Sequence, residues 1–344
     1  MHMANRFLGL VVFMLFSALA LADTLAVNPG HPDRYVVAKG DTLWDISERF
    51  LRDPWLWPEV WYVNPQIDNP HLIYPGDVIT LVYVDGKPQL RLQRGHGDMK
   101  LSPSARAEAL DQAIPTIPVD AIKQFLTRPL ITDDATLESA PYILAMADEH
   151  IVAGANDRIY VRGIDTSDHG RYHVYRPAGE IRDPVSNEVL GYEALYIGDA
   201  TLQRFGDPST LLLTSTTQEA RIGDRLMPIV DQDVYTHFVP KPPAQEVEGR
   251  ILSVLGGVTQ IGQYQVVSIN RGAREGIEIG NVLRIFQSGA VVEDMVNPRS
   301  KEKVQLPEED AGVMLVFRIF DKVSYGLVMK ATRPLHVLDI VRNP

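Results

Sequence analysis

The sequence contains no cysteine. This absence excludes disulfide scaffolds, thiol nucleophiles, cysteine-ligated zinc and lipid attachment through an N-terminal cysteine. Basic residues are few relative to acidic ones: 33 Lys and Arg stand against 44 Asp and Glu, which gives a formal net charge of -11. Because neutralising phosphates needs a cationic surface, we expect no nucleic-acid partner.

Long apolar runs are absent after the first 22 residues. Within them, Arg6 precedes the apolar run from Phe7 to Phe16, and Ala20-Leu21-Ala22 has the form of a cleavage site. The pattern predicts a signal peptide that is cleaved after Ala22. An uncleaved anchor is the alternative, because the run approaches the lower limit for a spanning helix. We expect an exported periplasmic protein with no membrane span after cleavage.

The remaining sequence is long enough for two or three domains, at about 150 residues per domain. The composition of the whole chain is ordinary for a folded protein, with 45% hydrophobic residues. The pattern divides the chain into a signal peptide (1–22), a tether (23–33), a small module (34–84), a linker with short helices (85–137), a β-rich unit (138–239), a proline-rich linker (240–248) and a second β-rich unit (249–344).

The small module has a β-α-α-β pattern. Tyr35-Val36-Val37 predicts a strand, and the apolar residues from Leu43 to Phe50 recur at helical spacing after Asp41 or Thr42, either of which can cap the helix. Asp53-Pro54 predicts the start of a second helix, with the Asp side chain as its cap. The apolar run after Pro75-Gly76-Asp77 predicts the closing strand.

This module resembles the LysM family, whose members bind polymers that contain N-acetylglucosamine, notably peptidoglycan. The residues that carry the resemblance are Tyr35-Val36-Val37-Ala38-Lys39-Gly40-Asp41-Thr42-Leu43-Trp44-Asp45-Ile46, Asn64-Pro65 and Ile73-Tyr74-Pro75-Gly76-Asp77-Val78-Ile79. The resemblance implies a sugar groove between two loops, formed by Gly40, Asp41, Thr42, Leu43, Asn69, Pro70, His71, Leu72 and Ile73. Such a ligand suits a shallow groove with backbone amides, close approach at Gly40 and apolar contact at Leu72 and Ile73.

The module is unusually rich in tryptophan for a LysM second helix. Trp55, Trp57 and Trp61 are three of the four tryptophans in the chain. Two interpretations stay open: these rings form the core of a small domain, or some of them stack on sugar rings. We expect Trp61 to lie inside and Trp55 to be the most exposed.

The region after the linker contains a duplication. Its matching segments are Tyr142–Ala145 with Arg250–Ser253, Ile159–Gly163 with Val267–Gly272, His173–Arg176 with Arg284–Gln287, and Ser209–Asp224 with Ser324–Asp339. The offset stays between about 108 and 115 residues, and strands alternate with glycine-containing turns. We therefore predict a multidomain chain, in which a βααβ module precedes two duplicated mainly-β units, each a small barrel or sandwich. Val119–Leu126 in the linker predicts a helix.

A short pattern also recurs before strands, as Pro75-Gly76-Asp77, Ile222-Gly223-Asp224 and Ile279-Gly280-Asn281. One site has Asn in place of Asp, so the residue is better explained by turn chemistry than by catalysis.

The whole architecture is similar to the family of secretin-associated LysM proteins of type IV pili. The features that carry this similarity are the signal peptide, one tryptophan-rich LysM module and a long β-rich region that contains Phe317–Val328. The resemblance implies a C-terminal region similar to a domain of a flagellar basal-body protein. It also implies that the chain binds peptidoglycan and an outer-membrane secretin ring, at the cell wall and outer membrane.

No catalytic set is recognisable in the sequence. His169 and His173 lack a third metal ligand at a typical spacing, no Gly-x-Ser-x-Gly motif is present, and Glu308-Glu309-Asp310 is typical of a solvated hairpin loop. We therefore expect a non-catalytic adaptor with no catalytic residue, no metal and no cofactor. The alternatives are a peptidoglycan hydrolase without motif-like residues and a flagellar or general envelope structural protein.

Overall fold

The computed structural model describes residues 25–61, 72–94, 113–127, 131–132, 134–229, 238–255, 260–294 and 303–344. The predicted signal peptide lies outside the described residues. Among the residues described, no helix has the length and apolar character needed to cross a membrane.

The N-terminal module follows the predicted β-α-α-β order. Its elements are β1 (Arg34–Val36), α1 (Leu43–Phe50), a short 3-10 turn (Pro54–Leu56), α2 (Trp57–Trp61), β2 (Val78–Val84) and β3 (Lys87–Gln93). The strands form one antiparallel sheet in the order β1-β2-β3. The helices pack their apolar residues beneath this sheet in one buried cluster.

The third strand, β3, differs from the expectation, which places its residues in the linker. Asp85 and Gly86 both have positive φ angles, 50° and 76°, and they join Val84 to Lys87 as a two-residue hairpin. The Asp-Gly pair was the sequence signal for this hairpin.

Between the module and the β-rich region lie α3 (Val119–Thr127), β4 (Ile131–Thr132) and α4 (Asp134–Ser139). The predicted helix at Val119–Leu126 is confirmed. Ile122 and Phe125 are buried on one face of α3, as the helical spacing requires.

The first β-rich unit is a closed sheet with one added strand. Its main strands are β5 (Tyr142–Met146), β7 (Arg158–Arg162), β8 (Arg171–Arg182), β9 (Val189–Arg204), β10 (Ser209–Thr216) and β12 (Arg225–Pro228), and β6 (Val152–Ala153) pairs separately with β11 (Ala220–Arg221). Around the barrel the order is β5-β7-β10-β9-β8-β12 and back to β5. Strand β4 adds to the edge of β9.

The second unit is a closed six-stranded barrel. Its strands are β13 (Glu248–Leu255), β14 (Val266–Ile269), β15 (Val282–Gln287), β18 (Glu309–Ile319), β19 (Ser324–Ala331) and β20 (Ile340–Arg342), with the separate hairpin β16 (Val291–Glu293) and β17 (Lys303–Gln305). The order β13-β14-β19-β18-β15-β20 repeats that of the first unit strand for strand. Two mainly-β units with one topology therefore follow the LysM-like module.

Each barrel has its own apolar interior, and a further cluster lies outside the second barrel. In β18, Met314 and Val316 point into the barrel, whereas Val313, Leu315 and Phe317 belong to the cluster that contains the module and α3. Side chains alternate between the faces of a strand, so this strand is buried on both sides. The module and α3 thus pack against the outside of the second barrel.

Candidate functional site

The loop before α1 is a tight turn that leads into the helix. Gly40 is exposed and has a φ of 98°, a left-handed conformation that glycine adopts without steric cost. The Asp41 carboxylate accepts hydrogen bonds of 2.8 Å from the Ala38 amide and from the Tyr35 hydroxyl. Burial and this donation to Asp41 raise the pKa of Tyr35. The side chain of Asp41 therefore holds the turn.

Thr42 caps α1. Its hydroxyl accepts from the Asp45 amide at 3.1 Å, and the Asp45 carboxylate accepts from the Thr42 amide at 3.2 Å. This reciprocal capping box satisfies two amides that the helix cannot pair internally. Thr42 was one of the two predicted caps, and its side chain is occupied by this structural role.

The groove is predicted between two walls, the loop before α1 and the loop before β2. The structure describes the second of these walls only in part. Asn69, Pro70 and His71 lie outside the described residues. Leu72 is exposed to 44%, whereas Ile73 is fully buried. Both precede the turn at Asp77, whose carboxylate accepts from the Tyr74 amide at 3.1 Å.

Backbone contacts with the segment before α3 show that the two walls are neighbours. The Leu43 amide donates to the Pro115 carbonyl at 3.0 Å, and the Ile114 amide donates to the Ile73 carbonyl at 2.8 Å. Leu43 and Ile73 therefore lie on opposite sides of a narrow strip of backbone amides and carbonyls, which the segment before α3 bridges. The described part of the site consists of Gly40, Asp41, Thr42 and Leu43 on one side and Leu72 and Ile73 on the other.

The tryptophans lie in the core of the module. Trp55, Trp57 and Trp61 are exposed to only 4%, 1% and 4%, so Trp61 lies inside as expected, and Trp55 is equally buried instead of being distinctly the most exposed. The reason is the second barrel: the Arg284 guanidinium lies over the Trp55 ring, 5.5 Å from its centroid. Arg284 also donates to Asp53 at 3.1 Å. Asp53 occupies the N-cap position before Pro54 as predicted, but its side chain makes no capping hydrogen bond, so the expected role of that side chain is wrong.

The histidines considered as metal ligands have a different environment. The His173 ring nitrogen Nδ1 lies 2.6 Å from the Asp199 carboxylate, and the ring packs edge-on against Tyr175 and Tyr196. Across the residues that the structure describes, no group of three or more possible ligands could hold a metal ion.

The acidic run Glu308-Glu309-Asp310 was expected in a solvated hairpin loop. All three residues are exposed as expected, but Glu309 and Asp310 begin β18 rather than lying in the loop, and each of the three carboxylates pairs with an arginine. The pairs are Glu308 with Arg342, Glu309 with Arg333, and Asp310 with Arg284. Exposed pairs of this kind each contribute little to stability, and only the Asp310 pair adjoins the module, because Arg284 also donates to Asp53.

Comparison with known proteins agrees with the geometry of the module. The LysM domain family matches residues 35–82. A curated relative, described as uncharacterized protein YqbP from Bacillus subtilis (strain 168), is 37% identical over 60 residues, which cover 14% of this chain and 27% of the relative. The chain thus spans about a quarter of that relative's length. LysM is a binding module rather than a catalytic one, and it supports peptidoglycan binding.

Proposed function

Because residues 35–82 are a LysM domain, we propose that this chain is a non-catalytic adaptor of the bacterial cell envelope. The module at 34–84 binds peptidoglycan, and the units at 138–239 and 249–344 bind a protein assembly, the outer-membrane secretin ring of a type IV pilus system. In this proposal the signal peptide directs the chain to the periplasm. Glycan and protein contacts then hold it at the cell wall and outer membrane.

The proposal has a glycan half and a protein half. The observation that carries the glycan half, that the module binds peptidoglycan, is the set of backbone groups between the two walls of the groove. The amides of Leu43 and Trp44 and the carbonyl of Ile73 all bind a peptide segment of the same chain. An N-acetyl group of a sugar presents the same amide chemistry, one carbonyl acceptor and one N–H donor. The strip can therefore hold N-acetylglucosamine through its acetamido group, with Asn69, Pro70 and His71 completing the site.

Charge considerations also favour this mode of recognition. The chain is acidic, with a net charge of -11, and the cell wall is anionic. Attraction between opposite charges therefore does not account for attachment. A neutral groove that binds backbone-like amides does not depend on the sign of the net charge.

Retention on insoluble peptidoglycan tests the glycan half. Leu72→Asp introduces a charge at an exposed apolar position of the site, and we expect about tenfold weaker retention, because a carboxylate must be desolvated against the sugar. Val36→Asp is the matched control, since Val36 is an exposed apolar residue of the same module, at 51%, outside the proposed groove. Equal retention of the two variants would contradict the proposed site.

The protein half is supported by an exposed apolar surface on the second unit. The hairpin of β16 and β17 exposes Val291, Val292, Val304 and the adjoining Leu306, with Val291 exposed to 59%. Val292 pairs with Val304 across the two strands, and neighbouring exposed apolar side chains are typical of protein interaction sites. Many copies around a ring would add their weak glycan contacts together through avidity.

Photo-crosslinking in cells tests the protein half. A crosslinking amino acid at Val291 should capture a secretin subunit, whereas one at Tyr83, exposed to 61% on the LysM module and outside both units, serves as the control for non-specific capture. Capture of a flagellar component from Val291 would favour the flagellar alternative. Persistent absence of secretin would contradict the pilus role without affecting the glycan half.

A further inference from the structure

A short segment of the chain lies across the proposed groove. We call residues 113–117 the covering segment. The Leu43 amide donates to the Pro115 carbonyl at 3.0 Å, the Trp44 amide donates to the Thr116 carbonyl at 3.1 Å, and the Ile114 amide donates to the Ile73 carbonyl at 2.8 Å. The segment therefore uses the backbone groups of both walls.

The covering segment is packed as core rather than as a surface loop. Ile114, Thr116 and Ile117 are exposed to 4%, 1% and 0%, and the two isoleucines belong to the apolar cluster of the module. Beneath them, Leu43 and Ile73 are exposed to 1% and 0%. A ligand cannot reach these two apolar residues while the segment is in place.

The segment is held at its C-terminal end by the second barrel. It runs directly into α3, whose last carbonyls, those of Phe125 and Leu126, accept hydrogen bonds of 2.7 and 2.6 Å from Arg318. A cation at the C-terminus of a helix satisfies carbonyls that lack partners within the helix. Burial lowers the pKa of Arg318. The second unit thus fixes α3, and α3 fixes the covering segment.

The module itself also contacts the same barrel, through side chains of α1 and of the turn that follows it. Asp45 and Glu48 of α1 contact Tyr264 and Lys330, and Asp53 contacts Arg284. The Tyr264 hydroxyl donates to Asp45 at 3.0 Å. These contacts fix α1, so the groove and the covering segment are both held by contacts with the second unit.

We propose that the covering segment is an internal competitor for glycan, so that the module binds glycan only after residues 113–117 leave the groove. This inference rests on the proposed function. The amides of Leu43 and Trp44 and the carbonyl of Ile73 cannot bind a sugar and the segment together. The apparent affinity for glycan is therefore reduced by the fraction of molecules whose groove is covered. Because α3 lies on the second barrel, a partner that shifts α3 would favour glycan binding, and glycan would favour that partner equally.

Residue-resolved hydrogen exchange on the unmodified full chain tests the competition. The probe is a hexamer of N-acetylglucosamine at saturating concentration. We expect the Ile114 amide to exchange faster when the hexamer binds, because it loses the Ile73 carbonyl. The Leu43 and Trp44 amides should stay protected by the sugar. Unchanged protection of Ile114 in the presence of bound hexamer would overturn the inference.

A release variant of the full chain gives the second test. Ile114→Asp combined with Ile117→Asp removes the apolar anchors of the segment, and we expect hexamer binding at least about tenfold tighter than in the unmodified chain. Gln124→Asp is the control, because Gln124 is exposed on α3. Equal binding by all three proteins would reject the covering role and leave the glycan function standing. Binding by none of them would reject the proposed glycan function itself. Should the release variant fail to fold, as circular dichroism would show, hydrogen exchange alone decides.

Discussion

At the scale of single residues, one turn recurs throughout the chain. Its fourth residue carries a side-chain oxygen that accepts from the amide of its first residue, and its third residue has positive φ. Within the described residues there are seven such turns: Ala38–Asp41, Tyr74–Asp77, Gly154–Asp157, Arg221–Asp224, Gly262–Gln265, Glu278–Asn281 and His336–Asp339. The turn interpretation of the repeated Gly-Asp pattern is confirmed, because the fourth side chain holds each turn whether it is Asp, Asn or Gln.

Substitution of Gly223 measures how much the positive φ angle of this turn contributes to stability. Its φ is 90°, and a Cβ added there would meet no atom within 4 Å. Gly223→Ala should lower the free energy of unfolding by about 1 kcal/mol, because the left-handed conformation strains any residue with a Cβ. Gly170 has equal space and no positive φ, so Gly170→Ala should be neutral or slightly stabilising. Urea denaturation measures both, and equal effects would contradict the strain argument.

The pair of His173 and Asp199 predicts a dependence of stability on pH. Burial acts to raise the pKa of Asp199, but hydrogen bonds from His173, Tyr196 and Ser215 outweigh it and lower the pKa from 3.8 to about 2. A carboxyl group with a lowered folded-state pKa stabilises the fold above its unfolded pKa, and this contribution is lost as the pH falls through the folded value.

Asp199→Asn should remove that contribution. We expect the variant to be about 2 kcal/mol less stable than the unmodified chain at pH 6. The difference should shrink between pH 4 and pH 2, because Asp199 becomes protonated in the unmodified folded chain as well. Denaturant unfolding at three pH values in this range provides the measurement. A difference that stays constant with pH would show that Asp199 acts through shape rather than charge.

At the scale of elements, the capping box decides how firmly α1 begins. Thr42→Ala should cost about 1 kcal/mol of stability, because the Asp45 amide loses its acceptor. Thr42→Ser keeps the hydroxyl and should cost much less. Thermal unfolding of the full chain compares the two variants. Similar melting temperatures for both would mean that the methyl group of Thr42, rather than its hydroxyl, stabilises the helix start.

Several elements could be predicted from the sequence because their signals are local. The helical spacing of Leu43 to Phe50, the cap at Thr42 and the helix at Val119–Thr127 depend on neighbours in the chain. Strand β18 also carries a signal that was not used: Ala311 to Phe317 has no polar side chain. A strand without alternation is typically covered on both faces, and this one is.

The parts of the site that could not be predicted depend on contacts between distant segments. The covering segment meets the groove through backbone atoms of Ile114, Pro115 and Thr116, and backbone hydrogen bonds leave no pattern in the side chains. The burial of Trp55 depends on Arg284, which is more than two hundred residues away in sequence. The walls of the groove were therefore predictable, and its cover was not.

At the scale of the whole molecule, ion pairs help to fix the module to the second barrel. Lys330→Glu places like charges opposite each other at Glu48, and we expect a loss of about 0.5–1 kcal/mol, the usual range for a partly exposed pair. Combining it with Glu48→Lys restores opposite charges and should recover most of the loss. Unfolding midpoints at low and high salt measure both effects. Failure of the exchanged pair to recover stability would show that the contact depends on packing.

The closure of both barrels affects whether neighbouring copies of the chain can pair through their sheets. An open sheet presents unpaired backbone groups along its edge strands, and neighbouring molecules can pair there and aggregate. In the described parts of the two units, the main strands of each barrel have partners on both sides. The open edge of β3 carries Lys87, Pro88 and Arg91, residues that discourage pairing. As far as the structure describes them, the main strands of the two barrels therefore leave no open edge through which neighbouring copies could join these sheets at high local concentration.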